Sequence, residues 1–248
     1  SRKHLSGAMA GALAAASLWA GEPAEISIVS DCKIAVAVKD ATGKAVRAEL
    51  DVPLPDVVAV KAEKYGRLPD FNPKAWGGWQ KGAALLGVKA QECTTKGALD
   101  PASVVVAAGE GADAIRFERG KDYEAELDWG SVGRLPEGRI PANQPVFISY
   151  RYSRMRIDSV MLRPDGTLAL RQGEPHIAVP LPPETAAGET RVANLFLPSR
   201  QDKLVTANLY PILETAYPEA AKTSPTPAEK LLPKAMAKLK SGEPLRAG

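Results

Sequence analysis

The sequence has few of the side chains on which metal sites and covalent catalysis depend. Its 248 residues contain two cysteines and two histidines. A small fold held together by disulfides needs more cysteines, and a zinc site needs clustered Cys and His ligands. The sequence therefore excludes a disulfide-built miniprotein and argues against zinc. We expect no metal and no other cofactor.

An excess of charge is also lacking. Lys and Arg number 32 against 29 Asp and Glu, which gives a net charge of +3. Removing residues 1–20 takes away Arg2 and Lys3 but no acidic residue, and leaves a net charge of +1. Because proteins that bind nucleic acids carry a basic patch or stripe, we expect no nucleic-acid partner.

Apolar residues and turn formers, in contrast, are plentiful. Hydrophobic residues make up 45% of the chain, and Gly and Pro contribute 21 residues each. This apolar content indicates a folded chain rather than a disordered one. So many turn formers favour a β fold over a helical bundle, and the length suits one large β domain or two small ones.

Short apolar or alternating runs recur from residue 26 to residue 200, as is typical of strands. They predict strands at 26–29, 33–39, 45–50, 57–63, 103–107, 114–118, 123–127, 145–152, 156–162, 167–170 and 192–197. Turns at 41–44 and 164–166 predict hairpins, and we expect 114–118 to pair with 123–127. The spacing predicts a mostly β fold, a sandwich or irregular barrel of short antiparallel strands, with a C-terminal helix.

The N-terminus has the pattern of an export signal. Arg2, Lys3 and His4 precede an uncharged stretch of small and apolar residues that runs to Ala20. This pattern predicts a signal peptide at 1–20 and a secreted or periplasmic protein without a membrane partner after cleavage. A buried N-terminal helix and an uncleaved anchor are the alternatives.

The C-terminus predicts a helix that needs a packing partner. Thr226, Pro227 and Glu229 have the spacing of a helix start, and an apolar stripe follows as far as Leu239. We therefore divide the chain into the signal (1–20), a β-rich accessory or binding domain (22–200) and a linker with a helix (201–248). We expect a catalytic domain after it.

Aromatic residues are concentrated in one glycine-containing segment. Tyr65, Phe71, Trp76 and Trp79 fall within fifteen residues, and Trp129 comes later. Aromatic planes in a loop offer a flat apolar face to a sugar ring or a partner protein. The alternative is a loop that folds back and buries its tryptophans in the core. We take Tyr65, Trp76, Trp79 and Trp129 as candidate binding residues.

Nucleophilic catalysis has weak support in the sequence. His176 is the one histidine outside the predicted signal, and no Gly-x-Ser-x-Gly elbow occurs. It is a candidate binding residue or a loop histidine bonded to the backbone. A hydrolase that pairs His176 with Asp158 or Asp165 is a weaker hypothesis.

Two other sets of residues leave alternatives open. Cys32 and Cys93 would form a disulfide in an exported protein, or stay as two buried thiols. Four acidic residues alternate along one predicted strand, where they form either a metal site or an exposed acidic face. They are Asp122, Glu124, Glu126 and Asp128.

Several segments resemble the N-terminal, non-catalytic region of secreted SGNH/GDSL-type hydrolases, along most of residues 26–246. They are the stretches 63–65 with 68–69, 117–123, 128–134, 149–152 with 156–159, 173–176, 193–194, 208–211 and 239–246. The resemblance implies a parent esterase that acts on acylated carbohydrate, with carbohydrate or the parent's own catalytic domain as the partner.

The resemblance carries no catalytic residue onto this chain. The family's Ser nucleophile, its Gly and Asn oxyanion donors and its Asp-x-x-His pair have no counterpart in the sequence. We therefore expect a non-catalytic accessory domain that serves substrate binding or domain support. The alternative is a stand-alone extracellular carbohydrate-binding, adhesion or tail-like β module.

Overall fold

The computed structural model describes residues 22–212, and they form a mostly β structure of fifteen strands and four single-turn 3₁₀ helices. The predicted signal peptide and C-terminal helix lie outside the described residues. The strands are β1 (Glu25–Ser30), β2 (Lys33–Lys39), β3 (Ala45–Asp51), β4 (Val57–Tyr65), β5 (Ala83–Ala84), β6 (Lys89–Ala90), β7 (Cys93–Thr94), β8 (Val105–Ala107), β9 (Tyr123–Glu126), β10 (Ser131–Arg134), β11 (Val146–Ser153), β12 (Arg156–Leu162), β13 (Leu168–Arg171), β14 (Thr190–Leu197) and β15 (Leu209–Pro211). The 3₁₀ turns are Gly78–Gln80, Leu86–Val88, Pro101–Ser103 and Thr206–Asn208.

The first of two hydrophobic cores lies between two antiparallel sheets, β1-β2-β3 and β13-β12-β14-β15. Alternation along β2 turns Ile34, Val36 and Val38 inward, where they meet Leu195 and Leu197 of β14. Each such side chain contributes about 1.5–3 kcal/mol when fully buried. Strand β3 lies beside β13, and β15 lies beside β1. The two sheets therefore approach each other at both edges around one core, and among the described residues no strand pairing joins them. We call this unit the barrel.

Both hairpins that the sequence predicts are present in the barrel, at β2–β3 and β12–β13. Asp40 accepts hydrogen bonds from the backbone N–H of Thr42 and of Lys44 through Oδ1, at 2.9 and 3.0 Å. Gly43 then adopts a φ of +82°, which glycine reaches at low cost. Short side-chain bonds of this kind fix the turn, and the turn fixes the register of the strands.

The second core is formed by two further small antiparallel sheets, in the part of the chain between β3 and β12 that we call the insert. Its sheets are β4-β11-β8 and β5-β10-β9. Val146, Ile148 and Tyr150 of β11 are buried on one face, as predicted. Val57, at the start of the insert, pairs with Ser153, at its end. The insert thus begins and ends on adjacent strands.

The structure corrects one expectation about the strands. The segment 114–118 does not pair with β9 as a strand; it makes a single bridge from Arg116 to Ala107, and β9 pairs with β10. A tight turn explains this, because the Asp122 carboxylate accepts the Glu118 N–H at 2.8 Å and holds the chain back from a ladder. Residues 209–211, in the segment expected as a linker, form β15, which pairs with β14.

Buried polar contacts fix the region where the insert leaves the barrel. Arg156 donates to both carboxylate oxygens of Asp158, at 2.6 and 2.9 Å, and its Nη2 also donates to the Pro53 carbonyl. The Asp158 side chain is 0% exposed and that of Arg156 is 5% exposed. Ser153 Oγ accepts the backbone N–H of Arg200 at 2.6 Å. These bonds join the segment before β4 to β12, and the end of β11 to the segment after β14.

Candidate functional site

Three tryptophans of the insert lie in ring contact, and we call them the tryptophan cluster. The ring centroids of Trp76 and Trp79 are 5.5 Å apart, with an interplanar angle of 86°. Those of Trp79 and Trp129 are 5.0 Å apart, with an angle of 56°. Edge-to-face and tilted contacts at these distances are favourable for aromatic rings. The rings therefore support one another in a fixed arrangement.

Exposure differs sharply across the cluster. Trp79 and Trp129 are half-buried, whereas Trp76 is 87% exposed. Each alternative from the sequence thus describes part of the cluster, since two rings are partly packed and one is presented to solvent. A largely exposed indole that rests on another aromatic ring offers an open apolar face for binding.

Two glycines make the close packing of the rings feasible. A Cβ atom at Gly77 would lie 2.7 Å from the Trp79 ring, and one at Gly78 would lie 2.1 Å from Cδ1 of Trp129. Both distances are far inside van der Waals contact, so a side chain at either position would displace a ring. The Gly-Gly pair is therefore part of the cluster.

Hydrogen bonds from neighbouring strands hold the backbone of the cluster. Ser131 of β10 donates its hydroxyl to the Gly78 carbonyl at 2.7 Å. Thr94 of β7 donates its hydroxyl to the Trp129 carbonyl. Gly130 follows with a φ of +64°, and a side chain there would collide with Val88. The loop that carries the rings is thus anchored to the sheet beneath it.

Every member of the predicted acidic strand has a basic partner. Asp122 binds Arg139 at 2.6 Å, Glu124 binds Arg119 at 2.6 Å, and Asp128 lies 3.9 Å from Lys96. Glu126 is paired with Lys81 in a contact where each side chain is 25% exposed. Within residues 22–212, no group of three or more His, Cys, Asp or Glu is placed to hold a metal ion.

Asp122 organises the loop that precedes β9. Its carboxylate accepts hydrogen bonds from the Arg139 guanidinium and from the backbone N–H groups of Glu118 and Arg139. The Arg139 hydrogen bonds, helped by these backbone donors and opposed by burial, hold the pKa of Asp122 far below its usual range. Its role is therefore to join two loops.

Tyr65 makes its hydrogen bonds to residues outside the tryptophan cluster. Its hydroxyl donates to Glu63 Oε2 at 2.5 Å, and Tyr150 donates to the same oxygen at 3.0 Å. The Tyr150 oxygen also accepts the Gly87 N–H at 2.7 Å. Burial, followed in Tyr65 by the Glu63 hydrogen bond, raises the pKa of both phenols. These bonds link β4 and β11 to the loop after β5, so Tyr65 has a structural role.

His176 adopts the backbone-bonded arrangement of a loop histidine. Its Nδ1 accepts the N–H groups of Ala178 and Val179 at 3.0 and 2.8 Å. Asp158 is bonded to Arg156, and Asp165 to Thr167, so neither carboxylate orients the imidazole. The hypothesis of a hydrolase built on His176 therefore has no geometric basis among the described residues.

The two cysteines are free thiols. Cys32 is exposed in the turn after β1, and Cys93 is half-buried in β7, where its thiol donates to the Ala90 carbonyl at 3.4 Å. The disulfide between them is not formed. Cys32 also differs from the alternative of a buried thiol, because a turn at the barrel surface holds it in solvent.

Sequence reasoning missed Lys81 and its pairing with Glu126, a residue that it grouped only with the acidic strand. Lys81 and Glu126 are 45 positions apart, and no local pattern joins them. A basic residue just after the tryptophan loop was the available signal, but its partner is set by the order of strands in the sheet.

Comparisons with known proteins add no identification. No protein-family model, curated protein or solved structure matches the chain. Among residues 22–212, no helix combines the length and the apolar character needed to cross a bilayer.

Proposed function

We propose that residues 22–212 form a non-catalytic carbohydrate-binding domain in which Trp76 stacks against a sugar ring. The observation that carries this proposal is the exposure of Trp76, 87%, on a ring held edge-to-face by Trp79. Solvent-facing indoles are costly to leave unpartnered, and large aromatics are usually buried.

The chemistry of a sugar ring suits this surface. One face of a pyranose is lined by C–H groups, and an indole plane offers a matching apolar area with little side-chain entropy left to lose. Trp79, which itself packs on Trp129, supports the ring of Trp76 before any ligand arrives. Preorganisation of this kind improves affinity because less ordering accompanies binding.

We place this domain in an exported SGNH-type esterase that acts on acylated carbohydrate, where it would supply substrate binding or domain support. The proposal for the parent protein and its secreted or periplasmic location rests on the sequence resemblance and on the N-terminal pattern.

Affinity electrophoresis tests the binding proposal directly. The full chain is run in native gels that contain xylan, hydroxyethylcellulose, galactomannan or polygalacturonate. We expect retardation by at least one glycan, and loss of that retardation in Trp76→Ala. Tyr210→Ala removes another exposed aromatic ring, from the barrel, and should migrate as the wild type does. Equal retardation of Trp76→Ala and wild type would contradict the proposal, as would a wild type that no glycan retards.

The non-catalytic part of the proposal has its own test. We expect the full chain to release no acetate from acetylated xylan, since the family's nucleophile and triad have no counterpart in it. Acetate release that disappears in His176→Ala would show that the chain is itself a hydrolase.

A further inference from the structure

We infer that Lys81 and Glu126 are the specificity-determining polar pair of the tryptophan cluster, and that they select neutral glycans by hydrogen-bonding two adjacent hydroxyls. The inference rests on the proposed carbohydrate-binding function. It extends that proposal from an apolar surface, which accepts many sugars, to a site with a defined ligand class.

The fold places the backbone of both residues next to the segment that carries the cluster. Lys81 directly follows the turn Gly78–Gln80, and its backbone N–H donates to the Gly78 carbonyl at 3.3 Å. Glu126 lies opposite Ser131 in the β9–β10 ladder, and the Ser131 hydroxyl donates to the same carbonyl at 2.7 Å. Because directly opposed residues point to the same face of a sheet, Glu126 lies on the face that carries the tryptophan loop.

The pair has unused hydrogen-bonding capacity. Lys81 Nζ donates to Glu126 Oε2, and Oε1 accepts no hydrogen bond from any residue in the range 22–212. An ammonium group has three donors, so two remain. Each side chain is 25% exposed, so part of each is open to solvent. Hydroxyl groups both donate and accept, so two neighbouring sugar hydroxyls complement an ammonium and a carboxylate held side by side.

Charge decides which glycans suit the pair. Lys81 and Glu126 together carry no net charge, and a uronate or sulfate group would be repelled by the Glu126 carboxylate. A neutral hydroxyl pair meets no such repulsion. Lys74 is exposed in the same loop and would favour the opposite preference. An anionic glycan therefore belongs in the test.

The test measures binding of the full chain to xylan, hydroxyethylcellulose, galactomannan and polygalacturonate by affinity electrophoresis. We expect a neutral glycan to bind more tightly than polygalacturonate. Lys81→Met and Glu126→Gln should each raise the Kd about tenfold, since a hydrogen bond to a charged group is among the stronger ones in binding. Lys121→Met, which breaks the exposed pair with Glu118 in another loop, should leave the Kd unchanged.

A double variant separates ligand binding from stability. Replacing a partly buried ion pair by apolar residues is often neutral for stability, so Lys81→Met/Glu126→Met should keep the wild-type Tm and lose the neutral glycan. If this variant binds the neutral glycan with wild-type affinity, the inference is wrong while the role of Trp76 stands. Tighter binding of polygalacturonate would also overturn it. A wild type that binds none of the four glycans would overturn both proposals.

Discussion

At the scale of single residues, the tryptophan cluster depends on glycines as much as on indoles. We predict that Gly78→Ala, which leaves all three tryptophans in place, abolishes glycan binding because its methyl group would displace the Trp129 ring. Overpacking of this kind costs about 1–3 kcal/mol. Tryptophan fluorescence and urea unfolding measure the two effects. Gly111→Ala is the control, since nothing lies within 4 Å of its Cβ position. Wild-type emission and binding in Gly78→Ala would contradict the prediction.

Asp122 gives the stability of the insert a dependence on pH. Its pKa is depressed in the folded state, so its stabilising effect is complete above the unfolded-state pKa of about 3.9 and declines as the pH falls toward the folded-state pKa. We predict that Asp122→Asn lowers the Tm most near pH 7, and that its difference from wild type shrinks below about pH 4. A difference that stays constant from about pH 7 to about pH 3 would show that the charge is not the cause. Thermal unfolding, monitored by circular dichroism, gives the Tm of wild type and of Asp122→Asn at each pH.

Individual residues differ in how far the sequence could predict their roles. Trp76 and Trp79 could be selected because aromatic and glycine residues adjoin in the chain. Tyr65 is grouped with them by the same proximity, yet its hydroxyl is used by Glu63. The partner of Lys81 could not be found, because Glu126 reaches it only through the pairing order β5-β10-β9.

At the scale of elements, local patterns predict hairpins well and longer-range pairing poorly. The β2–β3 and β12–β13 hairpins follow from turn residues that bond their own backbone, so sequence suffices for them. Strand β10 was not predicted. Its four residues include Gly133, whose lack of a side chain admits the backbone of Phe71. A glycine required by a distant segment leaves no periodic signal in its own strand.

A bulge in β4 leads to a prediction about the stability of single strands. Ala62 has a φ of +49°, and the register to β11 shifts between Ile148 and Tyr150. An alanine in this conformation is strained by about 1–2 kcal/mol relative to one in the right-handed region. We predict that Ala62→Gly is neutral to stabilising. Ala59→Gly, at an exposed position of the same strand, should destabilise by about 0.5–1 kcal/mol. Urea unfolding measures both, and equal destabilisation by the two substitutions would exclude strain at the bulge.

At the scale of the whole molecule, the described chain is a barrel with a second core inserted between β3 and β12. The sequence predicts the mostly β class but not this division. Strands 57–63 and 145–152 look alike as patterns, and nothing local shows that they pair across the whole insert. The division matters for function because all three tryptophans of residues 22–212 lie in the insert, whereas the barrel forms from the segments that flank it.

The buried pair at the junction should couple the two cores in unfolding. Asp158→Asn would leave the Arg156 guanidinium, 5% exposed, without a counter-charge, and loss of one partner of a buried ion pair costs about 3–5 kcal/mol. We predict a loss of that size in urea unfolding. In a Trp19→Phe background, tryptophan fluorescence reports on the insert alone and circular dichroism on both cores. The two transitions should coincide when Asp158 is present and separate in Asp158→Asn. The exposed Asp202→Asn should change stability by less than about 0.5 kcal/mol.

Arg156→Met/Asp158→Leu should recover most of the loss, because apolar residues of similar volume replace the pair without leaving a charge buried. Wild-type stability in Asp158→Asn would show that the junction holds through the backbone bonds of Ser153 and its neighbours instead.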